Sequence, residues 1–257
     1  MAREESWLID HVSRGQRIAG PDDTTPAYRG EIVRLMTVLT DSELAGAAGF
    51  ADFVNRAPGL AERQALVRIT GEKLAHAGQV LALLQPFGVV PDLYLRTHAW
   101  QARIAREIDL GLRRIPGDKR LNVFHYPIQS WHDALLVDWL VGESLAIQLR
   151  DIAGCSYAPL GEIIELMAAR EAVLAALAPP LLQAAIERDG RAGNAQAALD
   201  YWYGRAAATF GRMESERFAV YRRYGLRKET NQALLARWRA AVDAPLAELG
   251  LLVPSLP

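Results

Sequence analysis

Two helical turns of this sequence each contain half of a metal-binding motif. Residues 73–76 (KLAH) end in a histidine but begin with Lys73, and residues 171–174 (EAVL) begin with an acid but end in Leu174. In carboxylate proteins built on four helices, two Glu-x-x-His turns hold two iron ions together with carboxylates from the other two helices. The two turns therefore resemble a two-metal site in which each turn lacks one metal ligand.

The first two predicted helices each place polar side chains in an apolar stripe. Between residues 28 and 55 apolar side chains recur at helical spacing, and Glu43 falls on the same face. The next helix, over residues 60–85, places Lys73 and His76 on its inward stripe and ends before Pro86. All three side chains should therefore point into the core.

Two later predicted helices each add an acid. Ser130 has the side chain of an N-cap for an almost wholly apolar helix over residues 131–153, and Asp133 lies in its first turn. Pro159 suits the first turn of the next helix, in which Glu171 interrupts an apolar row. Four helices would then each contribute an inward polar group.

The remaining pattern predicts peripheral helices and no strand. We expect helices over about residues 91–114, 195–221 and 229–247. Residues 1–25 are polar and end in turn-forming residues, which predicts a lead-in rather than a packed element, and residues 26–257 should form a single domain.

The composition limits the class of protein. The chain has 257 residues, of which 51% are hydrophobic, and a net charge of -1 that gives no global preference for nucleic acid or an anionic membrane. The single cysteine, Cys155, excludes internal disulfides and a cysteine-built metal site, and it favours a cytoplasmic location. We find neither a secretory signal nor an apolar run of about 18 residues, so we expect no membrane association.

The inward polar groups have two interpretations at this stage. A charge in a helical core is costly unless it is paired or bound to a metal, so convergence of such groups favours a site. A hydrogen-bonded histidine beside a buried lysine and acids is, however, also a reasonable salt-bridge network. The residues alone favour the metal and the structural interpretation about equally.

A family resemblance rests on short motifs that follow one another in matching order over nearly the whole chain. They are residues 26–29 (PAYR), 41–43 (DSE), 55–58 (NRAP), 75–78 (AHAG), 124–127 (FHYP), 130–133 (SWHD), 139–141 (WLV), 156–159 (SYAP), 210–211 (FG) and 249–254 (LGLLVP). With them the chain resembles the A-subunit family of bacterial phenylacetyl-CoA epoxidase, whose members are ferritin-like di-iron proteins. Residues 93–120 and 188–198 match poorly.

The resemblance implies an all-α fold, a ferritin-like four-helix bundle core with additional peripheral helices. It also implies a ligand set by position. The family's metal ligands fall on four residues that are present here: Glu43, His76, Asp133 and Glu171. The other two ligand positions hold Lys73 and Leu174, and neither side chain replaces the ligand that the family has there.

These departures decide the expected cofactor. Three carboxylates and one ammonium leave a ligand charge of about -2, which balances one divalent ion. We therefore expect a single iron or manganese held by Glu43, His76 and Glu171, or a metal-free site, rather than an intact di-iron centre. Lys73 would pair with Asp133 or Glu171 as an ammonium, or be neutral because burial lowers its pKa.

Three functions remain open from the sequence. The first is a divergent oxygenase that acts on an aromatic or acyl substrate, with a coenzyme A thioester as one candidate, and receives electrons from a separate reductase. The second is a non-catalytic subunit that holds an active ferritin-like partner or a second copy of itself. The third is a metal-free enzyme in which Lys73 is the catalytic base or nucleophile.

Overall fold

The computed structural model describes residues 4–256, which fold almost entirely into helices. In chain order the helices are α1 (Glu5–Ser13), α2 (Pro26–Phe53), α3 (Leu60–Leu84), α4 (Pro91–Thr97), α5 (Trp131–Leu136), α6 (Gly142–Ala153), α7 (Ala158–Ala175), α8 (Ala178–Asp189), α9 (Gly193–Ala207), α10 (Glu216–Arg223) and α11 (Asn231–Glu248). Short 3-10 turns occur between several of them. Among these residues the only β-type pairing is an isolated bridge between Ile18 and Tyr157. The all-α prediction is confirmed.

The core is formed by two helix pairs. Helix α2 packs along α3, α6 packs along α7, and α3 contacts α7, so the pairs meet through α3 and α7. Local signals fix where these helices begin: the Thr25 hydroxyl accepts a hydrogen bond from the Tyr28 N–H, and Ser130 caps α5 as predicted. The short connections between α2 and α3 and between α6 and α7 make each pair antiparallel.

The helix predicted over residues 131–153 contains a feature that periodicity does not show. The segment Val137–Val141 is π-helical and joins α5 to α6. A π segment inserts an extra residue in the turn, so it changes which side chains face the core after it. Directly after this segment, Gly142 packs so closely on α7 that a Cβ there would lie 2.9 Å from the Cβ of Ala175.

The N-terminal residues differ from the prediction. Residues 4–25 were expected to form a lead-in without a packed element, but α1 buries Leu8 completely and Ile18 is also buried in the core. The backbone of Ile18 bonds to Ser156 and Ala158 at 2.6 and 2.9 Å, which fastens the segment to the start of α7. The few apolar residues of this segment are enough to anchor it because they reach an existing apolar surface.

The helix predicted over residues 91–114 ends at Thr97, and the chain is irregular up to the turn Asn122–His125. The buried guanidinium of Arg120 explains how this stretch is stable without a helix. It donates hydrogen bonds to the carbonyls of Ala99, Trp100 and Ala102 at 2.6, 3.0 and 3.1 Å. An arginine side chain thus replaces the helical N–H groups as donor to these carbonyls.

The helix predicted over residues 195–221 is interrupted as well. Helix α9 ends at Ala207, and Gly211 has a positive φ of 79° that a continuous helix does not allow. The helix predicted over residues 229–247 is confirmed as α11. Within residues 4–256 no single helix meets the length and hydropathy needed to cross a membrane, although the bent pair Leu60–Phe87 and Pro91–Thr97 meets them jointly.

Candidate metal centre

The contact between the two helix pairs brings together four polar side chains from three helices. Glu43 comes from α2, Lys73 and His76 from consecutive turns of α3, and Glu171 from α7, and each is at most 3% exposed. Bundle helices normally present apolar side chains at such positions. The structure therefore assembles four of the five predicted site residues in one buried cluster.

Lys73 occupies the middle of this cluster. Its Nζ donates to both oxygens of Glu171, at 3.1 Å to Oε1 and 3.0 Å to Oε2. It lies 3.5 Å from Oε2 of Glu43. The ammonium is thus placed between the two carboxylates, as a bridging cation would be.

Two polar atoms of the cluster lack a hydrogen bond. Oε2 of Glu43 and Nδ1 of His76 are buried without a hydrogen-bond partner among the described residues. His76 Nδ1 lies 3.3 Å from Oε1 of Glu171 and 3.9 Å from Oε2 of Glu43, but neither contact has hydrogen-bond geometry. An unpaired buried donor or acceptor costs about 1–3 kcal/mol, so two such atoms facing each other require an explanation.

The electrostatics of the cluster separate its two glutamates. Burial raises the pKa of Glu43 to about 7, although Lys73 acts in the opposite direction. Burial also raises the pKa of Glu171, but the charge of Lys73 and the contact with His76 outweigh it and hold that pKa below its ordinary value. Glu171 is therefore the carboxylate that neutralises Lys73, and Glu43 is the one whose charge is not fully compensated within the cluster.

Lys73 itself is charged. Burial lowers its pKa, but the carboxylates of Glu171 and Glu43 outweigh burial and raise the pKa above that of a free lysine. Of the two protonation states that the sequence left open, the structure favours the ammonium. The third function, which needs a lowered pKa for Lys73 as base or nucleophile, loses its physical basis.

The structure does not bring Asp133 into this cluster. Its carboxylate accepts two hydrogen bonds from Arg106 at 2.9 and 3.0 Å, one from Nε1 of Trp202 at 2.8 Å, and one each from the backbone N–H groups of Gln129 and Ser130 at 3.0 Å. Each oxygen is fully used. The predicted pairing of Lys73 with Asp133 is wrong, and we do not propose Asp133 as a ligand further.

The acid that does interact with the cluster from this helix is Asp138, which sequence reasoning missed. It lies in the π-helical segment, is 5% exposed, and has a pKa raised well above its ordinary value, chiefly by burial, with Lys73 and Glu171 as its charged neighbours. The signal in the sequence was Asp138 as the one charged residue of the apolar run 134–142 (ALLVDWLVG). Its orientation depends on the π segment, which periodicity does not predict.

The residues present do not fit two metal ions. Leu174, at the position of the second turn's histidine, is 2% exposed and packs in the apolar core. They do fit one ion: Glu43, His76 and Glu171 each offer a ligand atom, and these atoms all lie within 4.8 Å of one another. The unpaired atoms of Glu43 and His76 are the observation that supports this fit.

A cleft of about 330 Å³ lies along the same helix α2. Leu39, one turn before Glu43, lines it together with apolar side chains of α6, and its rim is strongly basic. The cations that line it are Arg34, Arg114, Lys119, Arg212, Arg217 and Arg227. Arg217 and Arg227 pair with Glu31 and Asp151. Burial, together with the nearby charge of Arg34, lowers the pKa of Arg114, so these two arginines lie close enough to repel each other.

Comparison with known proteins gives a consistent result. The family described as phenylacetic acid catabolic protein matches residues 16–257. Over 141 residues the chain is 27% identical to the A component of 1,2-phenylacetyl-CoA epoxidase from Escherichia coli (strain K12), a match that covers 54% of this chain and 40% of that protein. The match therefore spans less than half of the relative's own length.

Proposed function

Because this chain belongs to the phenylacetic acid catabolic protein family, a family of ferritin-like helical bundles, we propose that it is a divergent oxidoreductase of that family with one metal ion in place of two. The ion is iron or manganese, held by Glu43, His76 and Glu171. The observation that carries this proposal is that Oε2 of Glu43 and Nδ1 of His76 are buried without a hydrogen bond, beside Glu171, whose pKa lies below its ordinary value.

The protein's own residues have distinct parts in this proposal. The metal, when bound, supplies the capacity to activate oxygen. Glu43, His76 and Glu171 provide one nitrogen and two carboxylates, which leaves open coordination positions. Lys73 supplies the second positive charge that another metal ion would supply, and its hydrogen bonds orient Glu171. Asp138 adds an acid whose pKa burial raises well above its ordinary value.

We further propose that the substrate is a coenzyme A thioester bound in the cleft beside α2. The relative's name gives phenylacetyl-CoA as its substrate. Arg34 and Arg114 would bind the phosphates, and the apolar floor would receive an aromatic or acyl group. In this proposal the electrons come from a separate reductase.

The metal part of the proposal is tested by loading the purified protein with Fe²⁺ or Mn²⁺ without oxygen and measuring bound metal per chain. We expect His76→Gln to lower the metal content by about one equivalent, because no other nitrogen ligand lies in the cluster. His132→Gln is the matched control, since His132 is also buried but faces Asp189 at 3.5 Å. Equal metal content in the wild-type protein and His76→Gln would contradict the proposal.

The substrate part is tested by calorimetric titration with phenylacetyl-CoA. Arg34→Gln with Arg114→Gln should weaken binding about ten-fold or more, because charge-assisted bonds to phosphate are lost. The control is Arg188→Gln, which removes an arginine on α8 outside the cleft. If the double variant binds as tightly as the control, the cleft is not the substrate site.

One observation favours a second function. Lys73 already neutralises Glu171 through two hydrogen bonds, so the cluster also works as a metal-free salt bridge. In that case the chain is a non-catalytic subunit that supports an active partner of the same fold. Metal-free protein that co-purifies with a metal-containing homologue, and that increases the turnover of the homologue, would favour this function over the first.

A further inference from the structure

A second group of ligand-type side chains, partly buried, lies where the segment after α4 packs on α2. Asp41 is on α2, and His98 and Asp118 come from the irregular segment between α4 and α5. His98 and Asp118 belong to residues 93–120, one of two stretches that match the family's motifs poorly, whereas Asp41 belongs to the matching motif 41–43. The group therefore joins α2 to a segment in which this chain departs from the family's motifs.

The three side chains converge on one point. Nε2 of His98 lies 2.9 Å from Oδ1 of Asp41 and 3.6 Å from Oδ2 of Asp118. The side chains of Asp41, His98 and Asp118 are 1%, 7% and 8% exposed. Neither ring nitrogen of His98 makes a hydrogen bond to any described residue, so a histidine more than nine-tenths buried has its Nε2 between two carboxylates without hydrogen-bonding either.

A protonated His98 explains this arrangement poorly. An imidazolium has two N–H donors, and in a buried position each donor needs an acceptor. Here Nε2 is not aligned for a hydrogen bond to Asp41 despite the 2.9 Å separation, and Nδ1 has no acceptor among the described residues. A metal ion on the lone pair of Nε2 requires neutral histidine and leaves only one N–H unpaired.

The neighbours of the two carboxylates leave room for an ion. The Tyr94 hydroxyl donates to Oδ1 of Asp41, and the Lys119 N–H donates to Oδ2 at 2.5 Å. Arg120 donates to Asp118 from three N–H groups: its backbone N–H bonds Oδ1, its Nε bonds Oδ1 and Oδ2 at 2.9 and 2.8 Å, and its Nη2 bonds Oδ2. A carboxylate has about four lone-pair sites, so Asp118 keeps about one for an ion and Asp41 about two. Arg120 offsets one of the two negative charges, and the other remains for a cation.

We propose that Asp41, His98 and Asp118 bind a zinc ion that fastens the irregular segment to α2. One imidazole and two carboxylates are ligands that zinc accepts, with a fourth position for water. Ligand atoms of a tetrahedral zinc with bonds of about 2.0–2.1 Å lie about 3.3 Å apart, and the two measured separations from Nε2 bracket that value. The proposal does not depend on the metal centre at Glu43.

The test is a calorimetric titration of chelator-treated protein with Zn²⁺ in a His76→Gln background, which removes the nitrogen ligand of the other centre. We expect about one equivalent of zinc to bind to this parent. Adding His98→Gln should abolish binding, and adding Asp118→Asn should weaken it about ten-fold or more. The control adds His132→Gln, which should leave binding unchanged.

A second measurement, limited proteolysis, tests whether zinc stabilises the irregular segment. Trypsin cleavage within the arginine-rich residues 98–121 should slow about five-fold or more when zinc is added to the parent, because the ion stabilises the docked segment, and should not respond to zinc after His98→Gln. Circular dichroism shows whether each variant folds. If neither His98→Gln nor Asp118→Asn folds, zinc binding and zinc-dependent protection of the parent protein decide the test. A folded parent that neither binds zinc nor gains protection, or a folded His98→Gln protein that binds zinc as the parent does, would overturn the proposal.

Discussion

Two of the buried carboxylate clusters of this protein each contain a cationic side chain but differ in their hydrogen bonding. Asp133 and Glu171 are each 1% exposed and each bonded to a cationic side chain, Arg106 and Lys73 respectively. Around Asp133 every oxygen is bonded, including to the backbone of the helix cap and to Trp202. Around Glu171 the neighbouring Glu43 and His76 each have an atom without a hydrogen bond.

The difference shows how a structural charge can be told from a site. A buried charge that contributes only to stability must have its lone pairs satisfied, because each unsatisfied group costs free energy. The Asp133 cluster meets that condition and the Glu43 cluster does not. Sequence position and residue type are similar in the two cases, so only hydrogen-bond completeness separates them.

The largest effect should follow from breaking the satisfied cluster. Asp133→Ala should lower the free energy of unfolding by about 4 kcal/mol, because Arg106, Trp202 and two backbone N–H groups lose their acceptor. Urea unfolding measures it, with Asp133→Asn as the milder control. If the free energy of unfolding fell by less than about 1 kcal/mol and bound metal were lost, Asp133 would be a metal ligand rather than a structural charge.

Removing the cation of the other cluster should have a smaller, metal-dependent effect. Lys73→Met should destabilise the metal-free protein by about 3 kcal/mol at pH 8, because Glu171 is left ionised without a partner. Fe²⁺ or Mn²⁺ should stabilise this variant more than the wild-type protein, since the ion then compensates Glu171 in place of the ammonium and is not repelled by it. Thermal unfolding with and without metal measures both. Equal stabilisation of the two proteins would show that the cluster does not take a metal.

The cap of α5 offers a third, smaller change. Ser130→Ala should cost about 1 kcal/mol, since the Ser130 hydroxyl accepts the Asp133 N–H at 3.0 Å. Metal content should not change, because this cap belongs to the satisfied cluster. Urea unfolding and metal analysis on the same samples test the prediction. A change in metal content would show that metal binding depends on the Asp133 cluster.

Among these substitutions, Asp138→Asn should change the free energy of unfolding least at low pH. Burial raises the pKa of Asp138 well above its unfolded value, so the folded protein retains a proton that the unfolded chain releases. Such a group contributes stability at low pH and loses it as the pH rises above about 4 towards the folded pKa. The variant should differ from the wild-type protein by less than about 1 kcal/mol at pH 4 and become relatively more stable towards pH 8. Parallel stability curves for the two proteins would show that Asp138 is ionised when folded.

The sequence by itself determined the helices that position the site. The apolar stripes of α2, α3 and α7 placed Glu43, Lys73, His76 and Glu171 inward, and the structure has all four buried together. Helical spacing carries this information because side chains three or four residues apart share a face. The expectation that two family ligands are absent was equally readable, since it depends only on which residues stand at 73 and 174.

Only the tertiary structure decided which groups meet. The sequence placed Asp133 correctly on the helix that Ser130 caps, but it predicted the wrong partner for the carboxylate. The partner, Arg106, lies in an irregular segment that periodicity predicted as helix. Asp138 interacts with Lys73 and Glu171 from a π-helical turn, and the charge state of Lys73 depends on two carboxylates from other helices. These features are set by packing between distant segments, where one extra residue in a turn or one arginine redirects a side chain. Periodicity along the chain predicts which side of a helix is buried, but not which atoms of other segments pack against that side.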